Sequence, residues 1–174
     1  MRPTSMTARA ALDAPTSGEV QVALFQIEHP SLAAPVRLSS DPTERLTSDP
    51  PTYGTRSSWL GANKVTEPFQ FVLVSAELPG DQEDAPASAT LVFQNVDNDI
   101  SKLLRAFTDR PVIHMAVVLA SSPDLVEMEC RDMRIVSAEG DAGQVSLALS
   151  REPIEDETAP MDRFTRDRFP GLFR

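Results

Sequence analysis

Val112-Ile-His-Met-Ala-Val-Val-Leu-Ala-Ser-Ser-Pro-Asp-Leu-Val-Glu-Met-Glu-Cys-Arg-Asp-Met-Arg-Ile-Val-Ser-Ala138 is the stretch that decides the fold. It is rich in Val, Ile and Met, and its one strong interruption is Ser122-Pro123-Asp124, a turn composition. Two strands follow from this, Val112–Ser121 and Leu125–Ala138. In the second, Val126, Met128 and Cys130 alternate with Glu127, Glu129 and Arg131, the period of a half-buried strand. The phase changes near Asp132, which predicts a bend there. Glu139-Gly-Asp-Ala-Gly143 is the next turn and Gln144–Ser150 the next strand. Strand follows strand with no helix between, so a nucleotide-binding βα sheet is not indicated.

Working outward, Pro68–Leu78 and Ser88–Val96 form a hairpin around an acidic, proline-containing tip at 79–86. Asp97-Asn98-Asp99 then opens a helix over 98–108, with Ile100, Leu103, Leu104 and Phe107 on one stripe, stopped by Pro111. Glu19–Glu28 is a strand with Val20, Val22 and Leu24 on one face and Phe25 and Ile27 on the other. Either both its faces are covered or a bulge shifts the phase. Pro35–Ser39 is its short partner. Residues 40–63, with Pro42, Pro50, Pro51, Gly54 and Gly61, are expected to be a long irregular loop. Residues 1–16 form an N-terminal arm with a short helix over 5–14, and residues 151–174 an extended C-terminal arm. The expectation is a mainly β domain over 17–150, an antiparallel β-sandwich or open barrel of about seven strands with one flanking helix.

The length, 174 residues, suits one domain plus extensions. A net charge of −10 disfavours grip on nucleic acid or anionic membranes, though DNA could pass without sticking. With one cysteine, Cys130, no intrachain disulfide forms. The longest apolar run, Met115–Ala120, is too short to span a bilayer. Arg9 and Asp13 break up the N-terminal apolar piece, so no export signal is expected and the chain is expected to stay soluble in the cytoplasm where it is made.

Catalytic patterns are absent from the sequence. His29 and His114 have no metal-ligand spacing, and there is no Cys-x-x-Cys, no Gly-x-Ser-x-Gly and no phosphate-cradling glycine loop. Asp97 and Asp99 are explained by helix capping, and Glu152, Glu155, Asp156 and Glu157 by a solvated linker. The expectation is a protein that is not an enzyme and needs no cofactor or metal.

Two places suggest partners. Phe164, Phe169, Leu172 and Phe173 crowd the last fourteen residues, where Pro160, Pro170 and Gly171 interrupt helix and strand alike. Burying a phenylalanine is worth roughly 1.5–3 kcal/mol, so such a tail needs a groove, on its own domain or, as favoured here, on a neighbour. Phe169, Pro170, Gly171, Leu172 and Phe173 form the expected docking segment. Tyr53 and Trp59, the only Tyr and Trp, share the 40–63 loop; Trp59 either plugs the core or is buried against a neighbouring subunit.

The order of elements resembles an uncharacterised family encoded in the tail-tip gene clusters of siphophages, over roughly residues 5–173. The residues that carry the resemblance are Thr16-Ser-Gly-Glu-Val20, Leu24-Phe-Gln-Ile-Glu-His-Pro-Ser-Leu32, Pro35-Val-Arg-Leu-Ser-Ser-Asp41, Asn95-Val-Asp-Asn-Asp-Ile100 and Arg168-Phe-Pro-Gly-Leu-Phe173. The resemblance implies a virion part with a fold like that of the phage tail tube. It also implies a homo-oligomeric ring, hexameric in preference to trimeric, in the distal tail or baseplate hub. Such a ring joins the tube to the hub and receptor-binding proteins and forms part of the DNA channel. The length of the 40–63 loop departs from that pattern. The alternative is a carbohydrate-recognition β-sandwich on a tail tip or fibre, which is disfavoured by a single Trp and a single Tyr.

Overall fold

The computed structural model describes residues 4–77, 88–94, 111–140 and 144–150. Within them the chain is mainly β: one helix, α1 (Met6–Asp13), and ten strands. The strands are β1 (Gln21–Glu28), β2 (Val36–Ser39), β3 (Glu44–Ser48), β4 (Pro51–Thr55), β5 (Phe69–Phe71), β6 (Leu73–Glu77), β7 (Ser88–Gln94), β8 (Val112–Leu119), β9 (Ser122–Gly140) and β10 (Gln144–Ser150). All ten belong to a single sheet, in the order β3-β4-β5-β2-β1-β8-β9-β10-β7-β6. It is antiparallel except where β2 meets β5. Of the two architectures the sequence allows, this is the open barrel: one sheet curled into an open half-barrel, not two packed sheets.

The curl follows from what must be buried. Phe25 on β1 and Phe93 on β7 have three strands between them in the sheet, yet their rings meet edge to face with centroids 5.5 Å apart. A flat sheet would hold them about 19 Å apart at the usual strand spacing. The concave face is lined by Phe25, Ile27, Leu38, Leu91, Phe93, Ile113, Met133 and Leu147, all buried. The chain itself helps to close the mouth: β5 pairs with β2 and β4, while β6, one residue further on, pairs with β7 at the other end of the sheet. Val72 is the hinge residue, and its amide donates to the Ser39 carbonyl (2.8 Å). The expected single strand over 68–78 is thus two strands serving different neighbours.

β1 pairs with β8 through eight consecutive residues without a shift. Its mixed apolar pattern therefore means that both faces are covered, not that a bulge intervenes. Phe25 and Ile27 face the concave core, while Val22 and Leu24 meet Trp59, Ala62, Phe69, Ala116 and Val118 on the convex side. The convex cover is the segment after β4, including a 3-10 turn at Trp59–Gly61. Ser57 Oγ donates to the Pro123 carbonyl (2.6 Å), and the Ser58 amide and hydroxyl donate to Asp124 Oδ1 (2.8 and 2.9 Å). Lys64 pairs with the same carboxylate.

The Lys64 hydrogen bond and then the Ser58 amide hold the Asp124 carboxyl below its usual pKa. A folded-state pKa below the unfolded value gives stability that is present above the unfolded value and lost as pH falls through the folded one. Asp124→Asn should therefore cost a roughly constant amount above about pH 5 and progressively less below about pH 4, relative to an ordinary Asp near 3.9. Because the pair is exposed, that amount is at most about 1 kcal/mol. Urea denaturation of both proteins across this range measures it, and a gap that widened on acidification would refute the assignment.

The expectation of an irregular loop over 40–63 is corrected. Residues 44–55 form the β3–β4 hairpin, paired from Glu44↔Gly54 to Ser48↔Pro51 with a one-residue shift between Arg45 and Thr47. The sequence hides it because β3 is almost wholly exposed, so it has no apolar alternation to read. The prolines sit where a strand tolerates them: Pro50 in the turn, after a cis Asp49–Pro50 bond, and Pro51 as the first residue of β4. Arg45 braces the turn through the Thr47 and Ser48 carbonyls (3.1 and 3.0 Å). The two added strands and the divided one turn the expected seven into ten. α1 forms as expected. It is held to β9 because the Ser5 amide and hydroxyl both donate to the buried Glu127 carboxylate (2.7 and 2.5 Å). Ser5 Oγ also accepts from the Ala8 amide (3.1 Å) as the helix N-cap. The expected helix over 98–108 and the hairpin tip lie outside the described residues.

Candidate functional site: a carboxylate–histidine cleft

The phase change near Asp132 is a real bulge, and it helps to build a cleft at this end of the sheet. Ile113 pairs with Met133 and Met115 with Cys130, so His114 on β8 faces two residues of β9, Arg131 and Asp132. The bulge moves the concave-facing positions of β9 from the even residue Cys130 to the odd residues Met133 and Ile135. Asp132 takes a left-handed conformation, φ 59°, which Asp tolerates better than most residues. Its amide leaves the ladder and donates instead to His114 Nδ1 (3.2 Å).

That bond fixes the chemistry of the ring. With Nδ1 accepting, the proton of the neutral imidazole sits on Nε2. Nε2 faces Glu28 Oε1 at 3.8 Å, and the Asp132 carboxylate lies 4.0 Å from Nδ1. His114 is 8% exposed, so this ring is a wall of the cleft and not a loose surface group. Glu28 is positioned from the other side: Gln26, itself buried, donates to Glu28 Oε1 (2.7 Å) and accepts from Arg37 Nε (3.1 Å). Arg37 continues to Glu67 (3.4 Å). The Asn63 amide, followed by Arg37, keeps the Glu67 carboxyl below its usual pKa. A polar chain thus runs from Glu67 on the loop before β5 to the cleft.

The cleft measures about 510 Å3. His29, Pro30, Leu32, Pro35 and Val112 complete its walls, so two carboxylates and an imidazole N–H stand against a largely apolar lining. Its described lining contains no Lys or Arg. Such a site suits a cationic group attached to an apolar one. Among the described residues, no three His, Cys, Asp or Glu side chains are grouped so as to hold a metal ion.

Trp59 is 5% exposed. Its ring lies tilted on Phe69 (centroids 5.9 Å apart), and its Nε1–H donates to Glu129 Oε1 (2.9 Å). Its indole is thus used within its own chain, as a core plug, and offers almost no surface to a neighbour. Tyr53, on β4, is 43% exposed and open to contact. Phe164, Phe169, Pro170, Gly171, Leu172 and Phe173 lie outside the described residues. His29 and His114, which have no metal-ligand spacing in the sequence, come together with Glu28 and Asp132 only in the folded chain. The signals were present in Glu28-His29-Pro30 and in the phase change at Asp132, but nothing local says that β1 and β9 flank β8.

No curated protein matches the chain in sequence. A family model described as "Domain of unknown function (DUF1833)" matches residues 7–164. That span runs from within α1 through all ten strands, and on this match the chain belongs to the DUF1833 family.

Proposed function

We propose that the protein is a non-enzymatic structural subunit of a siphophage tail tip, part of a homo-oligomeric ring in the distal tail or baseplate hub, with six-fold symmetry favoured over three-fold. In this reading it links the tail tube to the hub and receptor-binding parts and lets DNA pass through an acidic bore.

The observation that supports it best is the open sheet. Among the described residues the half-barrel leaves two edge strands, β3 and β6, and sheet edges are where another chain adds on. Exposed or partly exposed apolar residues also stand on the sheet, Leu73 on the edge strand β6, Phe71 on β5, and Leu125 and Val136 on the interior strand β9, the kind of surface that association covers. The net charge of −10 suits non-adhesive passage of DNA. The carbohydrate-module alternative loses one of its two aromatic platforms with the burial of Trp59.

Removing residues 161–174 from the gene in its own genome should leave the β domain folded but stop infectious tails from forming. Cryo-electron microscopy of intact tails carrying a labelled subunit should place copies in a ring at the tip. Tails that lacked the chain, or that assembled normally without its C-terminal segment, would sink the proposal. So would tight, salt-sensitive binding to duplex DNA.

A further inference from the structure

The Glu28–Asp132 cleft and the C-terminal segment are complementary in charge and linked by chain geometry. We propose that in the free subunit residues 161–174 of the same chain dock in this cleft, arginine side chains meeting the carboxylates and phenylalanines meeting the apolar wall. The proposal stands apart from the tail-tip reading and holds whether or not that reading does.

Charge is the first argument. The chain carries −10 overall, yet residues 161–174 hold Arg163, Arg166, Arg168 and Arg174 against Asp162 and Asp167, a side-chain balance of 4 − 2 = +2. Each of Phe164, Phe169 and Phe173 adjoins an arginine in sequence. A cleft with two carboxylates and apolar walls recognises this pairing of guanidinium and ring.

Position is the second argument. The described chain leaves β10 at Ser150, which pairs with Arg134; Arg134 pairs with Val112, and Val112 with Glu28. The arm therefore starts three strand spacings from the cleft, about 15 Å away along the same end of the sheet. The ten residues 151–160 span up to about 33 Å when extended, so the segment that follows them reaches the cleft of its own chain with slack. They also carry Glu152, Glu155, Asp156 and Glu157 against Arg151, a net negative charge that an acidic cleft does not attract.

Limited proteolysis of the full-length chain at low micromolar concentration tests the proposal. Trypsin should cut Arg168–Phe169 about tenfold more slowly in the chain than in a synthetic peptide of residues 161–174, because a docked segment must open before it is cut. The double variant Glu28→Gln, Asp132→Asn should restore the peptide's rate; Asn keeps the left-handed backbone at 132 accessible. An arm variant with no change in the β domain, Arg163→Gln with Arg166→Gln, should speed chymotryptic cleavage at Phe164–Thr165 and so guards against misfolding of the cleft variant. Equal rates in chain and peptide would overturn the proposal, as would protection unchanged in both variants. Protection that vanished on tenfold dilution would also overturn it, by placing the segment on a second copy.

Discussion

Trp59→Ala should lower the unfolding free energy by about 3–5 kcal/mol, the usual range for removing a buried tryptophan. For a chain of this size that corresponds to a fall in Tm of roughly 6–20 °C. The indole fills the space between Val22, Leu24, Phe69 and Val118 on the convex face. Its loss opens a cavity that the clamped 57–64 segment cannot readily collapse into, because Ser57 and Ser58 are tied to Pro123 and Asp124. Trp59→Phe separates packing from hydrogen bonding: it keeps most of the contact and loses only the bond to Glu129, which still accepts from Arg131 Nε (2.7 Å). That variant should cost about 1–2 kcal/mol. Urea denaturation of the three proteins decides the matter. If Trp59→Ala lost under about 1 kcal/mol but blocked oligomer formation, Trp59 would be an interface anchor after all.

Gly54→Ala should be nearly as damaging, by about 2–4 kcal/mol. A Cβ built on Gly54 would stand 1.9 Å from the Phe69 carbonyl oxygen and 3.0 Å from a methyl of Leu46. The oxygen belongs to the backbone of β5, which is paired with β4 at this very residue, Gly54↔Gln70. Relief therefore requires β4 and β5 to part, not a side chain to rotate. Because Phe69 packs under Trp59, the disturbance passes from the edge of the sheet into the convex core. The same substitution at Gly18, where nothing lies within 4 Å, should change stability by under about 0.5 kcal/mol. Thermal unfolding of both variants provides the comparison, and a Gly54→Ala protein as stable as the parent would falsify the close approach.

The strands with a buried face were legible from sequence, because burial imposes apolar alternation on them. β8, β9 and β10 match the expected boundaries to within a few residues, and the irregularity at Asp132 could be located from the phase of Met128 and Cys130 against Met133 and Ile135. β3 was not legible, because an exposed edge strand has no apolar face to write into the sequence. Nor was the division at Val72, since Phe69, Phe71 and Leu73 look like one strand until their different neighbours are known. The cleft fell between these cases. Glu28, His114 and Asp132 each sat on a strand that was correctly expected, yet they are 86 and 18 residues apart in successive steps along the chain.

By itself, then, the sequence determined the β class, the strands that face the core, the short N-terminal helix and the bend in β9. Each of these depends on patterns within one element, where side-chain period and turn chemistry act locally. Only the tertiary structure decided that the strands make one curled sheet, that Trp59 plugs its convex side, and that a bulge turns the Asp132 amide onto His114 opposite Glu28. Those outcomes depend on strand order, and strand order is settled by how the whole set of apolar faces can be buried at once, which no single segment records.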